Sequence, residues 1–207
     1  WFNRSTTSPF WSPNASAATL TVNDDAGTLS TLLLNQGFNL TVSGDIDLGT
    51  GAGAGFVIQS NGAVTASGLA VNSSGSGDLS KYTLIGGTLS LSGDIAVNAN
   101  GILKINGGTL SVVADTAPIK VAGGGLVTLN SGTFTAIGSD PADLLICYTD
   151  IEISGGTVNL PGQNYFTGAF KVIGDAAAIT INRLNNSAAL NGDFSFEMDA
   201  SGISTIV

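Results

Sequence analysis

Short segments in which apolar and polar residues alternate recur along most of the chain. The clearest stretch runs from Gly86 to Val112, and it opens and closes on the same phrase, Gly-Gly-Thr-Leu-Ser. Alternation with a period of two is typical of strands that bury one face. The alternating segment of this phrase recurs six times, and its copies begin at Asn39, Ala63, Thr88, Thr109, Thr133 and Thr157. Successive copies are separated by 24, 25, 21, 24 and 24 residues. A sustained period of this length without a helical pattern predicts a β-solenoid.

Each repeat contains three alternating segments, which we call the first, second and third slots. Their apolar residues should point inward. In the first slot these are Leu40, Val42, Val64, Ala66, Leu89, Leu91, Leu110, Val112, Phe134, Ala136, Val158 and Leu160. In the second they are Ile46, Leu48, Ile95, Val97, Ile119 and Val121, and in the third Leu103, Ile105, Val127, Leu129, Ile151, Ile153, Ile179 and Ile181. The pattern predicts an all-β, right-handed parallel β-helix with three short strands per coil, about 24 residues per coil and about six coils.

Glycine pairs mark one corner of each predicted coil. Gly86-Gly87, Gly107-Gly108 and Gly155-Gly156 precede first-slot strands, at places where a positive φ or a close approach of two backbones favours glycine. Asn106 and Asn130 lie just before this corner, and Asn182 follows the last Ile-x-Ile segment in the same way. Stacked asparagine side chains that hydrogen-bond along the solenoid axis would stabilise such a corner.

The repeat divides the chain into three regions. Residues 1–17 are predicted to be an irregular N-terminal cap, in which Trp1, Phe2, Phe10 and Trp11 cover the first core layer or stack on sugar rings. Residues 18–182 form the parallel β-helix. Residues 183–207 are terminal strands, the start of a further module or an oligomer contact. Because the chain ends on the apolar segment 203–207, we expect that it continues or that this end meets another subunit.

Composition narrows the classes of function. Hydrophobic residues make up 43% of the chain and charged residues only 10%, with 29 glycines and no histidine. This composition is typical of a secreted or surface-displayed all-β protein. The net charge of −9 argues against binding to nucleic acid or to an anionic membrane surface. No apolar run reaches the length of a membrane span. Cys147 is alone in an apolar run, so it is predicted to pack as a small buried residue.

Acidic residues are the candidates for catalysis, because parallel β-helices often carry enzymes that cleave polysaccharides. Asp140, Asp143, Asp150 and Glu152 cluster in one irregular coil. Asp45 and Asp94 occupy equivalent corners two coils apart, about 9.6 Å along the axis, with Leu69 at the position between them. Solvated turn carboxylates explain these positions better. Without histidine, paired bases or a repeated calcium-binding nonapeptide, we predict no catalytic residue, no metal site and no cofactor, and hence not an enzyme.

Hydroxyl side chains form two files on the outward side of the first slot. The candidate binding face comprises Thr88, Ser90, Thr109, Ser111, Thr133, Thr135, Thr157 and Asn159, with Thr41 and Thr65 extending one file. Within each file, successive residues should lie about 4.8 Å apart along the axis, and the two files should lie about 6.7 Å from each other. They resemble the Thr-x-Thr arrays of β-solenoid ice-binding proteins, although Asn39 and Ala63 interrupt one file. Threonine is also simply a favourable residue on exposed strands.

The repeat phrase carries one family resemblance. The phrase Gly-Gly-Thr-Leu-Ser-Leu-Ser-Gly and the segment from Leu32 to Gly44 resemble the autotransporter-associated β-strand repeats of large bacterial surface proteins, over about residues 18–182. The resemblance implies an extracellular or cell-surface structural or adhesive scaffold. A glycan or another surface ligand is then an expected partner. Independently of the resemblance, coil ends that expose unpaired apolar layers predict that further copies join there into a fibre. Ice binding and the binding or degradation of a polysaccharide remain the alternatives.

Overall fold

The computed structural model describes residues 14–22, 30–35, 37–50, 53–72, 78–114, 119–138, 144–147, 150–166, 169–184 and 195–198, and in these ranges regular structure is entirely β. The strands are β1 (Asn14–Ala17), β2 (Leu20–Val22), β3 (Ser30–Leu34), β4 (Asn39–Val42), β5 (Ile46–Leu48), β6 (Gly55–Gln59), β7 (Ala63–Ala66), β8 (Leu69–Val71), β9 (Ser80–Leu84), β10 (Thr88–Leu91), β11 (Ile95–Val97), β12 (Gly101–Ala114), β13 (Ile119–Ala122), β14 (Leu126–Gly138), β15 (Leu144–Cys147), β16 (Asp150–Phe166), β17 (Ala169–Leu184) and β18 (Ser195–Met198).

Each strand pairs in parallel with its equivalent in the next coil, which confirms the β-solenoid. The first slot shows this most regularly. The residue pairs that face each other along the axis are Asn39 and Ala63, Ala63 and Thr88, Thr88 and Thr109, Thr109 and Thr133, and Thr133 and Thr157. These six positions span five turns of 21 to 25 residues, as the sequence spacing predicts.

The later coils depart from three short strands. From β12 onward, the third-slot and first-slot strands run into one another through the glycine corner. The pairing of β12 with β14 shifts register on either side of Asn106, so the corner is a bulged bend within a long strand. A bulge lets a strand turn while both of its flanks keep their pairing.

The interior is a stack of aliphatic rows. All twelve predicted inward residues of the first slot are buried, and Leu89 and Leu110 are completely so. The predicted third-slot residues of β12, β14 and the start of β16 are buried as well, as are Ile46, Leu48, Ile95 and Val97 of the second slot. Burial of each such side chain contributes about 1.5–3 kcal/mol. Because every coil adds the same layer, the rod needs no second core.

Glycine is required at the corner for two reasons. Gly108 has φ of +70°, a conformation that side chains with a Cβ rarely adopt. A Cβ on its neighbour Gly107 would lie 2.2 Å from the carbonyl oxygen of Ile85, which belongs to the coil below. The pair therefore combines a left-handed turn with close stacking of coils, as the sequence predicts.

Polar side chains stack beside this corner as predicted, but the prediction that Asn182 belongs to the stack is wrong. Asn130 Nδ2 donates to Asn106 Oδ1 at 2.8 Å, and Ser154 Oγ donates to Asn130 Oδ1 at 2.9 Å. Asn182 was expected to continue the row, yet it follows a first-slot strand. The ladder therefore passes from asparagine to serine, whose shorter side chain still reaches the amide oxygen.

Two predicted slot assignments need correction. Ile179 and Ile181 pair with Val158 and Leu160, so they belong to the first slot, and the third slot of that coil is formed by residues 170–172 of β17. An Ile-x-Ile pattern fits either slot equally well, so the pattern alone could not determine the slot of Ile179 and Ile181. In the second slot, Ile95 pairs with Val121 rather than with Ile119, a shift of two residues that leaves the inward parity unchanged.

The stack of strands extends past both predicted limits of the solenoid. Asn14–Ala17 pairs in parallel with β4, and Ser195–Met198 pairs in parallel with the start of β17. The predicted aromatic cap residues Trp1, Phe2, Phe10 and Trp11 lie outside the described residues, as does the apolar segment 203–207.

Candidate binding face

The eight candidate residues form two straight files. Thr88, Thr109, Thr133 and Thr157 face one another in consecutive coils, and Ser90, Ser111, Thr135 and Asn159 form the second file two residues further along each strand. We call these eight residues the hydroxyl face. No register shift interrupts the pairing within either file, because the bulges lie before the face, at the corner.

Exposure follows the strand alternation. Thr157 is exposed, and the other seven residues of the hydroxyl face are half-buried, as expected for outward side chains flanked by neighbours along the axis. The residues between them, such as Leu89 and Leu110, are fully buried in the interior. The face is therefore set on a rigid aliphatic layer, which fixes the spacing of its hydroxyl groups.

The files change composition at both ends. Before Thr88, the first file consists of Asn14, Asn39 and Ala63, and after Thr157 it continues to Ala178. Asn39 Nδ2 donates to Asn14 Oδ1 at 3.1 Å, and Asn39 Oδ1 accepts from the backbone N–H of Ala63 at 3.1 Å. These asparagines stabilise neighbouring coils instead of continuing the threonine row. The unbroken threonine run is thus four residues long, as the sequence indicates.

The candidate acidic pair has a different neighbour from the one predicted. Gly68, and not Leu69, lies between Asp45 and Asp94, because Leu69 pairs with Ile46 and Ile95. The Ile46 N–H donates to the Gly68 carbonyl at 3.0 Å, and the Leu69 N–H donates to the Asp94 carbonyl at 3.1 Å. A Cβ on Gly68 would lie 2.8 Å from Asp45 Oδ1, so this carboxylate lies against the corner backbone.

Asp47 lies in the second-slot strand β5, two residues after Asp45. Partial burial raises its pKa above the ordinary value, and the nearby Asp45 carboxylate raises it further. Both causes favour the protonated form. Among the described residues, no three acidic, cysteine or histidine side chains are grouped closely enough to hold a metal ion.

The other predicted acidic cluster is only partly described. Asp150 and Glu152 lie in the third-slot part of β16, beside Leu126 and Thr128 of the preceding coil. Asp140 and Asp143 lie outside the described residues, as does the side chain of Cys147, whose backbone belongs to the second-slot strand β15.

Sequence reasoning missed a buried polar pair in the third slot. Tyr82 and Gln59 are both fully buried, and Tyr82 Oη donates to Gln59 Oε1 at 2.7 Å. Gln59 Nε2 donates to the carbonyls of Thr88 at 2.9 Å and Gly62 at 3.3 Å. Burial raises the pKa of the Tyr82 phenol, which keeps the group neutral. The signal was present, since Gln59 occupies an inward position where neighbouring coils have leucine.

Comparison with known proteins gives no further assignment. The chain matches no family model, no curated protein and no solved structure. The part of the chain that the structure describes contains no helix that is long and apolar enough to span a membrane.

Proposed function

We propose that this chain is a structural or adhesive scaffold, secreted or displayed on a cell surface, that presents its hydroxyl face to a repetitive ligand. The observation that carries the proposal is the constant register of that face over four consecutive coils. Equivalent hydroxyl groups repeated at about 4.8 Å suit a partner that is itself repetitive, such as a neutral polysaccharide. Many weak contacts of this kind add up through multivalency.

Composition and resemblance support the proposed location. Only 10% of the residues are charged, and the net charge of −9 disfavours polyanionic partners but tolerates neutral glycans. The likeness of the repeat phrase to autotransporter-associated repeats of bacterial surface proteins points in the same direction. A solenoid suits this role because its length, and hence its reach, grows with each coil.

Retention on immobilised neutral polysaccharides tests the adhesive role. The probes are cellulose, chitin and cross-linked dextran, with the Thr109→Tyr/Thr133→Tyr double variant, whose rings cover the centre of the hydroxyl face. We expect at least a tenfold loss of retention on whichever matrix holds the parent protein. Thr31→Tyr is the matched control, because Thr31 is exposed on the third-slot side of the rod. Failure of all three matrices to retain the parent protein would contradict glycan adhesion.

Association of coil ends into a fibre belongs to the same proposal. Terminal coils of a solenoid leave backbone N–H and C=O groups of their last strands available for pairing. Light scattering over a wide concentration range then shows open-ended growth in mass, and electron microscopy shows rods. A mass that does not grow open-endedly with concentration counts against the fibre but leaves the adhesive face untouched.

Ice binding is the second candidate, favoured by the run of four threonines at Thr88, Thr109, Thr133 and Thr157. A regular hydroxyl lattice on a rigid face is what recognition of an ice surface requires. The test is thermal hysteresis with inspection of crystal shape. Thr109→Lys should abolish the effect and Thr31→Lys should preserve it. Absence of hysteresis in the parent protein at millimolar concentration rejects this candidate.

A further inference from the structure

One outward file of the first slot continues through seven coils. Its members face one another in register and are Ser16, Thr41, Thr65, Ser90, Ser111, Thr135 and Asn159. We call these seven residues the long file. It contains the second file of the hydroxyl face and extends it by three coils towards the N-terminus. Six steps of about 4.8 Å make it about 29 Å long.

The neighbouring first file is not continuous in the same way. It is threonine from Thr88 to Thr157, but asparagine or alanine in the three coils before Thr88. Asn39 uses its side-chain amide within the rod, since it donates to Asn14 and accepts from the N–H of Ala63. In the strands β1, β4 and β7, the long file is therefore the source of hydroxyl groups.

The hydroxyl groups of the long file are accessible to a partner. Ser16, Thr41 and Thr65 are exposed, and Ser90, Ser111 and Thr135 are half-buried. None of these six hydroxyl groups forms a hydrogen bond with another described residue. By contrast, Ser67 Oγ, at the corner after β7, donates to the carbonyl oxygen of Ser43 at 2.8 Å. The file therefore retains donors and acceptors that the fold itself does not use.

The chemistry of the long file restricts its partner. None of its seven side chains is charged, and none is large and apolar. Hydroxyl and amide groups both donate and accept hydrogen bonds, as sugar hydroxyls do. A neutral glycan binds such a file without the burial of a charge, whereas an anionic chain meets a protein whose net charge is −9. The file is therefore suited to a neutral polysaccharide.

We propose that the ligand is a single chain of a neutral polysaccharide, which lies along the solenoid axis on the long file. This inference rests on the proposed adhesive function and adds the orientation of the ligand and the extent of its site. A chain placed across the axis would contact one or two coils and would not use the constancy from Ser16 to Asn159. A flat crystalline surface would need both files to continue together, yet the first file changes to Asn39 and Ala63.

This orientation makes affinity depend on the length of the glycan. Each coil contributes one equivalent position of the long file, so a longer oligosaccharide makes more contacts of the same kind. Linked contacts strengthen binding without any new type of interaction. We therefore expect affinity to increase from a trisaccharide to a hexasaccharide of the same sugar.

Isothermal titration calorimetry with soluble oligosaccharides tests the proposal. The probes are the trisaccharides and hexasaccharides of the cellulose, chitin and dextran series. For the series whose matrix retains the parent protein, the hexasaccharide should bind at least tenfold more tightly than the trisaccharide. Thr41→Val/Thr65→Val removes two hydroxyl groups from the added coils and keeps the branched side chains. It should weaken hexasaccharide binding at least fivefold and trisaccharide binding less than twofold, because the trisaccharide still fits on the remaining coils.

The matched control is Thr21→Val/Thr31→Val, which makes the same change at exposed positions on the second-slot and third-slot sides. It should bind both oligosaccharides as the parent does, and circular dichroism checks that both variants keep the β spectrum. Equal affinity for the two lengths, parental hexasaccharide affinity in Thr41→Val/Thr65→Val, or an equal loss in the control each overturns the proposal. Retention of the parent on a matrix without binding of its hexasaccharide overturns it as well. In all four cases retention on the matrix still supports the adhesive function, whereas a parent protein that binds neither matrix nor oligosaccharide rejects both.

Discussion

The first and third slots of this solenoid both bury mainly aliphatic residues, but they expose different kinds of side chain. Leu110 in the first slot and Leu103 in the third are both completely buried within the one strand β12. Outward, the first slot presents hydroxyl groups in two files, whereas the third presents lysines, carboxylates and branched aliphatic residues. The rod thus has a mainly aliphatic interior under two chemically distinct surfaces.

This difference shows that the inward residues determine the fold, whereas the outward residues are free to vary. Inward residues are constrained by neighbours above, below and across the core, so leucine, isoleucine and valine predominate in both slots. Outward residues need only tolerate a strand. Because the fold accepts either outward chemistry, stability alone does not determine which residues the two outward sides carry.

Truncation of the interior should have the largest effect and should be the same under both faces. Leu110→Ala and Leu103→Ala are each expected to lower the free energy of unfolding by about 2–5 kcal/mol, through lost burial and the cavity left behind. Urea denaturation measures both. A loss confined to one variant would show that the two slots do not share one core.

The corner that joins the third slot to the first should be the next most sensitive element. Gly108→Ala places a Cβ 2.5 Å from the Gly87 carbonyl oxygen in a backbone of φ +70°, and we expect a loss of about 1–3 kcal/mol. Gly124→Ala is the matched control. Its Cβ would meet nothing closer than 3.9 Å, so the midpoint temperature of thermal unfolding should be unchanged or slightly higher. Equal destabilisation by both variants would contradict the role assigned to this corner.

The buried polar pair distinguishes the third slot from the first in its interior. Tyr82→Phe removes the hydroxyl that donates to Gln59 Oε1 and leaves a buried acceptor without its donor. The expected loss is about 1–3 kcal/mol by chemical denaturation. The Tyr82→Phe/Gln59→Leu double variant, which removes both partners, should recover most of it. A double variant no more stable than Tyr82→Phe would show that the pair is not the cause.

The smallest expected effect compares one outward threonine from each slot. Thr128 Oγ1 on the third-slot side is buried and makes no hydrogen bond to any described residue. Thr128→Val removes this cost and should raise stability by about 1 kcal/mol. Thr133→Val, at a half-buried site on the hydroxyl face, should change it by less than about 0.5 kcal/mol. Differential scanning calorimetry of both variants checks the ranking.

Sequence periodicity predicted the elements whose signal repeats in every coil. The first-slot register, its twelve inward residues and the hydroxyl files are all where alternation placed them. Their prediction needed only the spacing of one phrase, since stacking neighbouring coils turns equal spacing into direct contact.

Other features could not be predicted because their signal is ambiguous or does not repeat. Ile179 and Ile181 were assigned to the wrong slot, since identical strands fit either place once a coil shortens. The residue between Asp45 and Asp94 was predicted as Leu69 and is Gly68, one position earlier. A corner lacks the alternation of apolar and polar residues that would align equivalent positions. The outward side of the third slot was not predicted for a related reason, since its residues differ from coil to coil and only the observed register brings them together.

The pairing of Tyr82 with Gln59 has a consequence for how the chain finds its alignment. Coils built from interchangeable aliphatic rows can slip past one another by a whole repeat at little cost, which is a hazard of repetitive sequences during folding. A slip is disfavoured at Gln59, because Oε1 would lose the Tyr82 hydroxyl, which the neighbouring coils replace with valine and leucine. The hydrogen bond between Tyr82 and Gln59 therefore favours one alignment of the coils over the others.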